Sequence, residues 1–156
     1  VEVLAVDHSP VEPAVGYRFS YKGRSLLITG DTVKLANIEQ FAKGVDLLVH
    51  EALAPNLVNM MNAAAKKTGN QILAKITYDI LDDHASPVES AENALDAGVG
   101  HLIYYHMVPP LVIPGQDVLY LNGADEIFPV YTIGQDGFSF TLPANSKDII
   151  RTADGL

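Results

Sequence analysis

Histidines and an aspartate follow strand-like, apolar runs at four points of the chain. His8, His50 and His106 each come directly after such a run, and Asp31 follows a fourth. Side chains at the ends of buried strands converge on one edge of an open sheet, where α/β folds bind their ligands. Zinc accepts both imidazole nitrogen and carboxylate oxygen. The pattern indicates a metal site, although the long spacings alone also fit histidines that are hydrogen-bonded in loops.

The two remaining histidines stand in different contexts. His84 lies in a loop immediately before a helix whose start is marked by capping residues. An imidazole titrates at about pH 6.5, close to working conditions, so His84 suits proton transfer. His101 begins a strand, and we expect it to be a surface residue.

The elements that must position these side chains alternate between strands and helices. Apolar or alternating runs predict strands, and Lys22-Gly23 predicts a tight turn between two of them. The clearest helix start is Ser86, with Pro87 and Glu89 behind it. The predicted strands are 1–6, 17–21, 24–29, 45–49 and 101–105, and the predicted helices are 33–43, 56–68 and 86–97, with a helical turn or two over 72–81. This order predicts an α/β layer, a sheet with helices on one face whose other face needs a cover.

The last third of the chain carries weaker signals. Three prolines between residues 109 and 114 favour an extended, non-helical loop. Val130–Ile133 and Phe138–Leu142 flank a Gln-Asp-Gly turn and predict a hairpin. The polar tail from Pro143 onward is expected to fray.

Composition bounds the classes of protein to consider. The 156 residues are enough for one domain, and 19 acidic against 10 basic side chains give a net charge of −9, which disfavours a nucleic-acid-binding surface. No cysteine is present, which excludes disulfides and thiolate zinc sites and leaves cytoplasm and periplasm equally open. No apolar run approaches the roughly 20 residues of a membrane span. Because the chain starts at Val1 without a Met, we expect it to be a piece of a longer protein.

Five segments resemble, in order, segments of the ribonuclease Z-like enzymes that have the metallo-β-lactamase fold. They are Val6–Pro10 with Gly16–Arg18, the Gly-Asp-Thr segment Ile28–Thr32, the His-Glu-Ala segment Leu47–Ala52, His84–Ser86, and Tyr104–His106. Together they span roughly residues 3 to 110. By this resemblance the chain is identified as the C-terminal half of the αββα sandwich, a mixed sheet with helices on one face, in the ribonuclease Z/arylsulfatase-like branch.

The resemblance implies a dinuclear metal centre. His8 would bind one metal, Asp31 would bridge both, and His106 would bind the second. A carboxylate has two oxygens and can serve two metals, which a neutral imidazole cannot do. Zinc is the default metal, and manganese or iron would accept the same ligands.

The resemblance also assigns residues around the metals. His84, with Asp31, would be catalytic, and would contact the scissile group or protonate the leaving group. His50 and Glu51 would orient the metal ligands through contacts to them, without binding the metals themselves. His101 has no counterpart in the family.

Two features depart from the family pattern. The His-x-His-x-Asp-His motif, which supplies ligands to both metals, is absent from residues 1–156. We therefore expect these residues to be one domain's C-terminal portion, which binds metal weakly or not at all without its N-terminal half. The long basic arm of the transfer-RNA-processing members is also missing, since only Phe19–Leu27 separates the Gly-Tyr-Arg strand from Gly-Asp-Thr.

The function predicted from these observations is hydrolysis of small sulfate or phosphate esters, as in arylsulfatase-like or phosphodiesterase-like enzymes. The apolar, proline-stiffened segment Met107–Tyr120 would then line a substrate pocket or pack on the missing half. A ribonuclease Z-like phosphodiesterase and a lactonase are the alternatives, and a metal-free fragment or interaction module is the non-enzyme alternative. The expected partners are a small anionic ester, the N-terminal half of the domain and a further copy of the chain, with no membrane and no nucleic acid.

Overall fold

The alternating and apolar runs form one mixed sheet of six strands in a computed structural model that describes residues 1–153. The first three strands are antiparallel, and each later strand is parallel to its neighbour. In sheet order they are β1 Glu2–Val6, β2 Ala14–Tyr21, β3 Arg24–Ile28, β4 Leu47–Leu53, β5 His101–Val108 and β6 Tyr131–Ile133. The parallel strands all end at the same edge of the sheet, as the sequence predicted.

Within residues 1–153, six helices connect or follow these strands. The longer ones agree with the predicted helices, and α4 has the predicted capping box of Ser86 and Glu89 and ends at Gly98, whose φ is 62°. The third helix is a full helix of nine residues capped by Asn70, where the sequence predicted only a turn or two. Two short helices follow the proline-rich loop and were not predicted. The bounds are α1 Ala36–Ala42, α2 Pro55–Lys67, α3 Gln71–Asp79, α4 Pro87–Ala97, α5 Gln116–Leu121 and α6 Ala124–Ile127.

The hydrophobic core lies between one face of the sheet and the helices. Leu27, Leu48 and Leu102 are fully buried from the sheet side, and alanines on α4 are buried against them. On the opposite face Tyr17, Phe19 and Tyr21 of β2 are exposed. The predicted α/β layer with helices on one face is therefore confirmed, and the described residues leave part of the other face uncovered.

The predicted hairpin over residues 130–142 is wrong. β6 pairs with β5 in parallel, and Gly134 continues along β5, with its N–H donating to the Tyr104 carbonyl. A Cβ at Gly134 would stand 2.6 Å from that carbonyl oxygen, so the chain runs too close to β5 to turn back there. The following strand, β7 Phe138–Thr141, pairs instead with β8 Ile150–Ala153 in a separate two-stranded sheet.

The predicted fraying of the tail is also wrong within the described residues. The buried Arg24 donates from Nη1 to the carbonyls of Pro143 and Asp148 and forms an ion pair with Asp46 at 3.0 Å. These contacts hold the tail against the start of β3 and allow β8 to form. Residues 154–156 lie outside the described residues. None of the helices described is long and apolar enough to cross a membrane.

Candidate metal centre

Four side chains that the sequence singled out lie together at the carboxyl edge of the parallel strands. The rings of His8 and His84 are 4.9 Å apart, and those of His84 and His106 are 5.9 Å apart. His106 Nδ1 lies 3.0 Å from Asp31 Oδ1. Asp31 is about one-third exposed and His106 about half exposed, so this edge is open to solvent.

His106 reaches this edge because of a β-bulge. The pairing of β4 with β5 shifts by one residue there, so that Glu51 faces Tyr105 while Ala52 already faces Met107. His106 is the extra residue, and its φ of 42° is in the left-handed region. A bulge re-aims a side chain, and strained backbone at a non-glycine residue is typical of functional sites.

His84 is held by the buried carboxylate of Glu51. His84 Nδ1 donates to Glu51 Oε2 at 3.0 Å, while Glu51 Oε1 accepts from the backbone N–H groups of Ala85 at 2.9 Å and Thr32 at 3.3 Å. Burial lowers the pKa of His84, but the hydrogen bond and charge of Glu51, with Asp31 and Asp83 nearby, outweigh it, so the net effect is a raised pKa. The contact fixes the tautomer of His84 and leaves its Nε2 as the nitrogen that can contact a ligand.

His8 is fixed in a similar manner from the loop before α4. Its Nδ1 lies 2.9 Å from the carbonyl oxygen of Asp83. A carbonyl only accepts, so Nδ1 carries the proton and Nε2 is the nitrogen with a free lone pair. Metal-binding histidines are typically oriented by such a bond from the other ring nitrogen.

His50 lies in the core beneath the site. It is fully buried, its Nδ1 donates to the Glu51 carbonyl at 2.7 Å, and its Nε2 accepts from Asn93 Nδ2 at 3.1 Å. Burial lowers the pKa of His50. Neighbouring residues of a strand point to opposite faces. His50 therefore bonds to Asn93 on α4, while the side chain of Glu51 contacts His84 at the site.

His101 stands at the other end of β5, roughly 15 Å from His106 along the strand. Its Nε2 pairs with Thr132 Oγ1 at 2.8 Å, and its ring packs near Phe140. It is half-buried and thus less exposed than the sequence suggested. Burial and the nearby Arg151 lower the pKa of His101.

The donor atoms at this edge fit a divalent metal ion. Glu51, His84 and His106 each offer a ligand atom, and these atoms lie within 4.8 Å of one another. Asp31 and His106 offer an oxygen and a nitrogen 3.0 Å apart, and two ligands of a tetrahedral zinc ion stand about 3.4 Å apart. Both oxygens of Glu51 already accept hydrogen bonds from protein groups, so Glu51 suits a positioning role better than a ligand role.

Two residues of the site carried little signal in the sequence. The fully buried Thr32 donates its N–H to Glu51, and its Oγ1 accepts from the N–H of Asp7. Burial and the charges of Asp31 and Glu51 raise the pKa of Tyr105 to about 12, so its phenol is neutral at physiological pH. Thr32 could have been found from the Gly-Asp-Thr segment, whereas nothing in the strand pattern distinguished Tyr105.

A cavity of about 950 Å³ opens beside His106. Its walls come from the end of β5, the proline-rich loop and the β6–β7 connection. The sequence left open whether the segment after His106 lines a pocket or packs on another half. In the described part of the chain, residues 107 and 110–115 line this cavity.

The sequence is similar to curated ribonucleases Z. It is 33% identical over 136 residues to ribonuclease Z of Mycolicibacterium paratuberculosis, which covers 87% of this chain and 45% of the relative. It is 37% identical over 117 residues to ribonuclease Z of Mycobacterium tuberculosis, which covers 75% of this chain and 38% of the relative. The chain belongs to the ribonuclease Z branch of the metallo-β-lactamase-fold proteins. No family model matches the sequence.

A solved structure agrees with this assignment at the level of the fold. The metallo-β-lactamase-fold protein YhfI of Bacillus subtilis superposes with a TM-score of 0.57 at 20% identity, over 83% of this chain and 43% of that protein. This chain spans less than half of the length of the two curated ribonucleases Z named above.

These similarities change the order of the predicted functions. The named relatives favour the ribonuclease Z-like alternative over the arylsulfatase-like function that the sequence analysis put first. They also count against the expectation that nucleic acid is not a partner, because the relatives are named as ribonucleases. The membership of this branch and the fold were predicted correctly from the five ordered segments.

Proposed function

We propose that this chain is the C-terminal part of a metal-dependent hydrolase of the ribonuclease Z type that cleaves phosphodiester bonds. The convergence of His8, Asp31, His84 and His106 on one sheet edge carries the proposal. The curated ribonucleases Z support a phosphodiester as the reacting group. Sulfate monoesters are the second candidate, since they carry the same single charge and apolar side chains such as Met107, Leu111 and Phe138 line part of the cavity beside His106.

In this proposal His8, Asp31 and His106 hold two divalent ions. Asp31 would serve both ions, because its carboxylate has two oxygens and already lies against His106. The remaining ligands come from the N-terminal half of the domain. The chemistry that the bound ions supply is activation of water and neutralisation of charge on the ester oxygens.

His84 transfers the proton to the leaving oxygen. Its Nδ1 proton is committed to Glu51, so Nε2 is the nitrogen that faces a substrate at the Asp31–His106 edge. The buried Glu51 carboxylate orients the ring and stabilises the imidazolium form. Because the amides of Ala85 and Thr32 hold Glu51, the pair of Glu51 and His84 needs no reorganisation when substrate binds.

The test measures metal content and turnover of the complete protein with bis(p-nitrophenyl) phosphate, p-nitrophenyl sulfate, a lactone and a precursor transfer RNA. We expect diester hydrolysis with about two bound ions, loss of both metal and activity in Asp31→Asn, and retained metal with reduced kcat in His84→Gln. His101→Gln, at the opposite end of β5, is the matched control and should keep the metal content and turnover of wild type. Full turnover by Asp31→Asn, or a metal-free protein that hydrolyses the diester, would refute the proposal.

A further inference from the structure

The α2–α3 hairpin, residues 55–79, leaves the sheet beside the metal centre and returns to it. It begins directly after β4, and the N–H of Leu53 at the end of β4 donates to the carbonyl of Ala85 at 2.8 Å. Because Ala85 follows His84, the segment that carries the hairpin closes on itself at the site. The hairpin therefore stands at the carboxyl edge of the parallel strands.

Buried side chains hold the two helices together as a unit. Asn62 of α2 donates from Nδ2 to the Ala74 carbonyl at 2.6 Å and to Thr77 Oγ1 at 2.9 Å, both on α3. Asn56 Nδ2 donates to the Leu119 carbonyl of α5 at 2.7 Å, which fixes the start of α2. Because α3 packs mainly against α2, its outer face is left to solvent. A surface that is ordered before binding reduces the entropy that a partner must overcome.

The charge of the hairpin is opposite in sign to that of the chain. Residues 52–78 carry three of the 10 basic side chains and none of the 19 acidic ones. The three are Lys66, Lys67 and Lys75, and all are exposed. Lys75 pairs with Asp79, whereas Lys66 and Lys67 form no ion pair within the described residues. In a chain whose net charge is −9, this hairpin is a part whose field attracts a polyanion.

An exposed tyrosine lies between these lysines and the metal centre. Tyr78 is 68% exposed, and it neighbours Lys75 on the surface of α3 because the two are three residues apart. At about 1.5 Å per residue, α2 places Lys66 roughly 15–20 Å from the end of β4. From the tip of the hairpin toward the site the order is therefore lysine pair, tyrosine and metal centre, over a distance that a polynucleotide spans and a small ester does not.

We propose that the α2–α3 hairpin binds the backbone of an RNA substrate whose scissile phosphodiester lies at the metal centre. Lys66 and Lys67 pair with phosphates, and Tyr78 stacks on an unpaired base close to the site. Basic and aromatic side chains are the groups that hold single-stranded RNA. This inference rests on the proposed function, which supplies the phosphodiester and its position.

A second copy of the chain is the competing occupant, because Ile72 and Ile76 on α3 are also exposed. A two-fold contact between hairpins would bring both lysine pairs to one interface, with only Asp79 of each hairpin to offset them. The dipole of α2 favours lysines in its last turn and accounts for Lys66 and Lys67, but it does not account for the lack of acidic residues before Asp79. Charge complementarity therefore favours RNA.

The first experiment measures binding of a precursor transfer RNA to the complete protein by fluorescence anisotropy between about 50 and 200 mM salt. In Lys66→Gln/Lys67→Gln we expect affinity to fall on the order of tenfold and the slope of log K against log salt to decrease by about two. Lys66→Arg/Lys67→Arg should keep the wild-type values. Lys43→Gln/Lys147→Gln, the same change in charge at exposed positions near the start of β4, is the matched control and should also keep them.

The second experiment measures kcat/KM for the same RNA relative to kcat/KM for bis(p-nitrophenyl) phosphate, which is too short to reach the hairpin. We expect this ratio to fall about fivefold or more in Tyr78→Ala, because a stacking contact is lost. Tyr78→Phe keeps the ring and should keep the ratio.

The outcomes separate the two proposals. An equal loss of RNA affinity in the Lys66/Lys67 variant and in its control, or no loss in either, overturns the hairpin inference while diester hydrolysis stands. A wild-type dimer that Ile72→Asp converts to a monomer with unchanged RNA affinity also overturns it and assigns the hairpin to a contact between copies. If no diester is hydrolysed, the proposed function fails, and the anisotropy series still decides whether the hairpin binds RNA.

Discussion

Replacing Glu51 by glutamine tests the site most directly, because it changes one atom of a fully buried side chain. Glutamine can still accept from the backbone N–H groups of Ala85 and Thr32 through its single oxygen. Its amide nitrogen cannot accept from Nδ1–H of His84 and donates instead to Nδ1 of the other tautomer, so the 3.0 Å contact is reversed in direction. The fold should therefore persist while His84 loses its Nδ1–H tautomer and its stabilised imidazolium form.

The structure sets the expected size of the effect. A hydrogen bond to a charged group contributes about 1.5–3 kcal/mol, and 1.36 kcal/mol is a factor of ten in rate. We expect kcat of Glu51→Gln to fall on the order of 10- to 100-fold, with KM and metal content close to wild type. Glu51→Ala differs, because it leaves the N–H of Thr32 and the Nδ1–H of His84 unpaired at about 1–3 kcal/mol each, while the N–H of Ala85 still donates to the Thr32 carbonyl. That variant should lose stability as well as activity.

The assay is steady-state hydrolysis of bis(p-nitrophenyl) phosphate with metal analysis of the same samples. An unchanged kcat in Glu51→Gln would show that His84 does not act through Glu51. Loss of metal with loss of activity would make Glu51 a ligand, contrary to its saturated hydrogen bonds. Either result would refute the assignment of Glu51 as a positioning residue.

Three further predictions concern the fold that supports the site. Burial and Arg151 lower the pKa of His101, so the folded state favours the neutral form of this side chain. The stability that His101 contributes is therefore lost as the pH falls below its ordinary pKa of about 6.5. Urea midpoints at pH 7.5 and 5 should differ less in His101→Gln than in wild type. Arg24→Ala should cost about 3–5 kcal/mol by leaving Asp46 unpaired, and hydrogen exchange should report loss of protection in β7 and β8 first. Ser86→Ala should lower the free energy of unfolding by about 1 kcal/mol in urea titrations, whereas Ser20→Ala, at an exposed position of β2, should leave it unchanged.

The prediction that residues directly after strands meet at one edge of the sheet was correct for Asp31 and His8. Asp31 follows β3 and His8 follows β1, and both lie at the predicted edge. The two-residue period also separates His50 from Glu51, since only one of two neighbours in a strand can face the site. His106 is different because it lies inside β5, and its bulge depends on pairing with β4, which the sequence of β5 alone does not encode.

The predicted hairpin over residues 130–142 is wrong because the long-range pairing of β6 with β5 outweighs the local turn sequence. Gln135-Asp136-Gly137 is a turn sequence, and the flanking runs have strand composition. The open edge of β5 offered β6 a parallel partner over Leu102–Tyr104, which no local rule anticipates. Likewise the buried Arg24 orders a polar tail that by composition should fray, through contacts 119 and 124 residues away in sequence.

The chain of contacts around Glu51 has a consequence for how the molecule opens. Its carboxylate accepts hydrogen bonds from backbone amides of two separate segments, and the adjacent His50 accepts a hydrogen bond from Asn93 on α4. We therefore expect the amides of Ala85 and Thr32 to be protected from exchange with solvent while α4 stays packed on the sheet. We expect native-state hydrogen exchange to place the opening of this part of the site among the higher-energy openings of the molecule. Substitutions at the buried positions of α4 should consequently lower catalytic activity and thermal stability in parallel, although these residues touch no substrate.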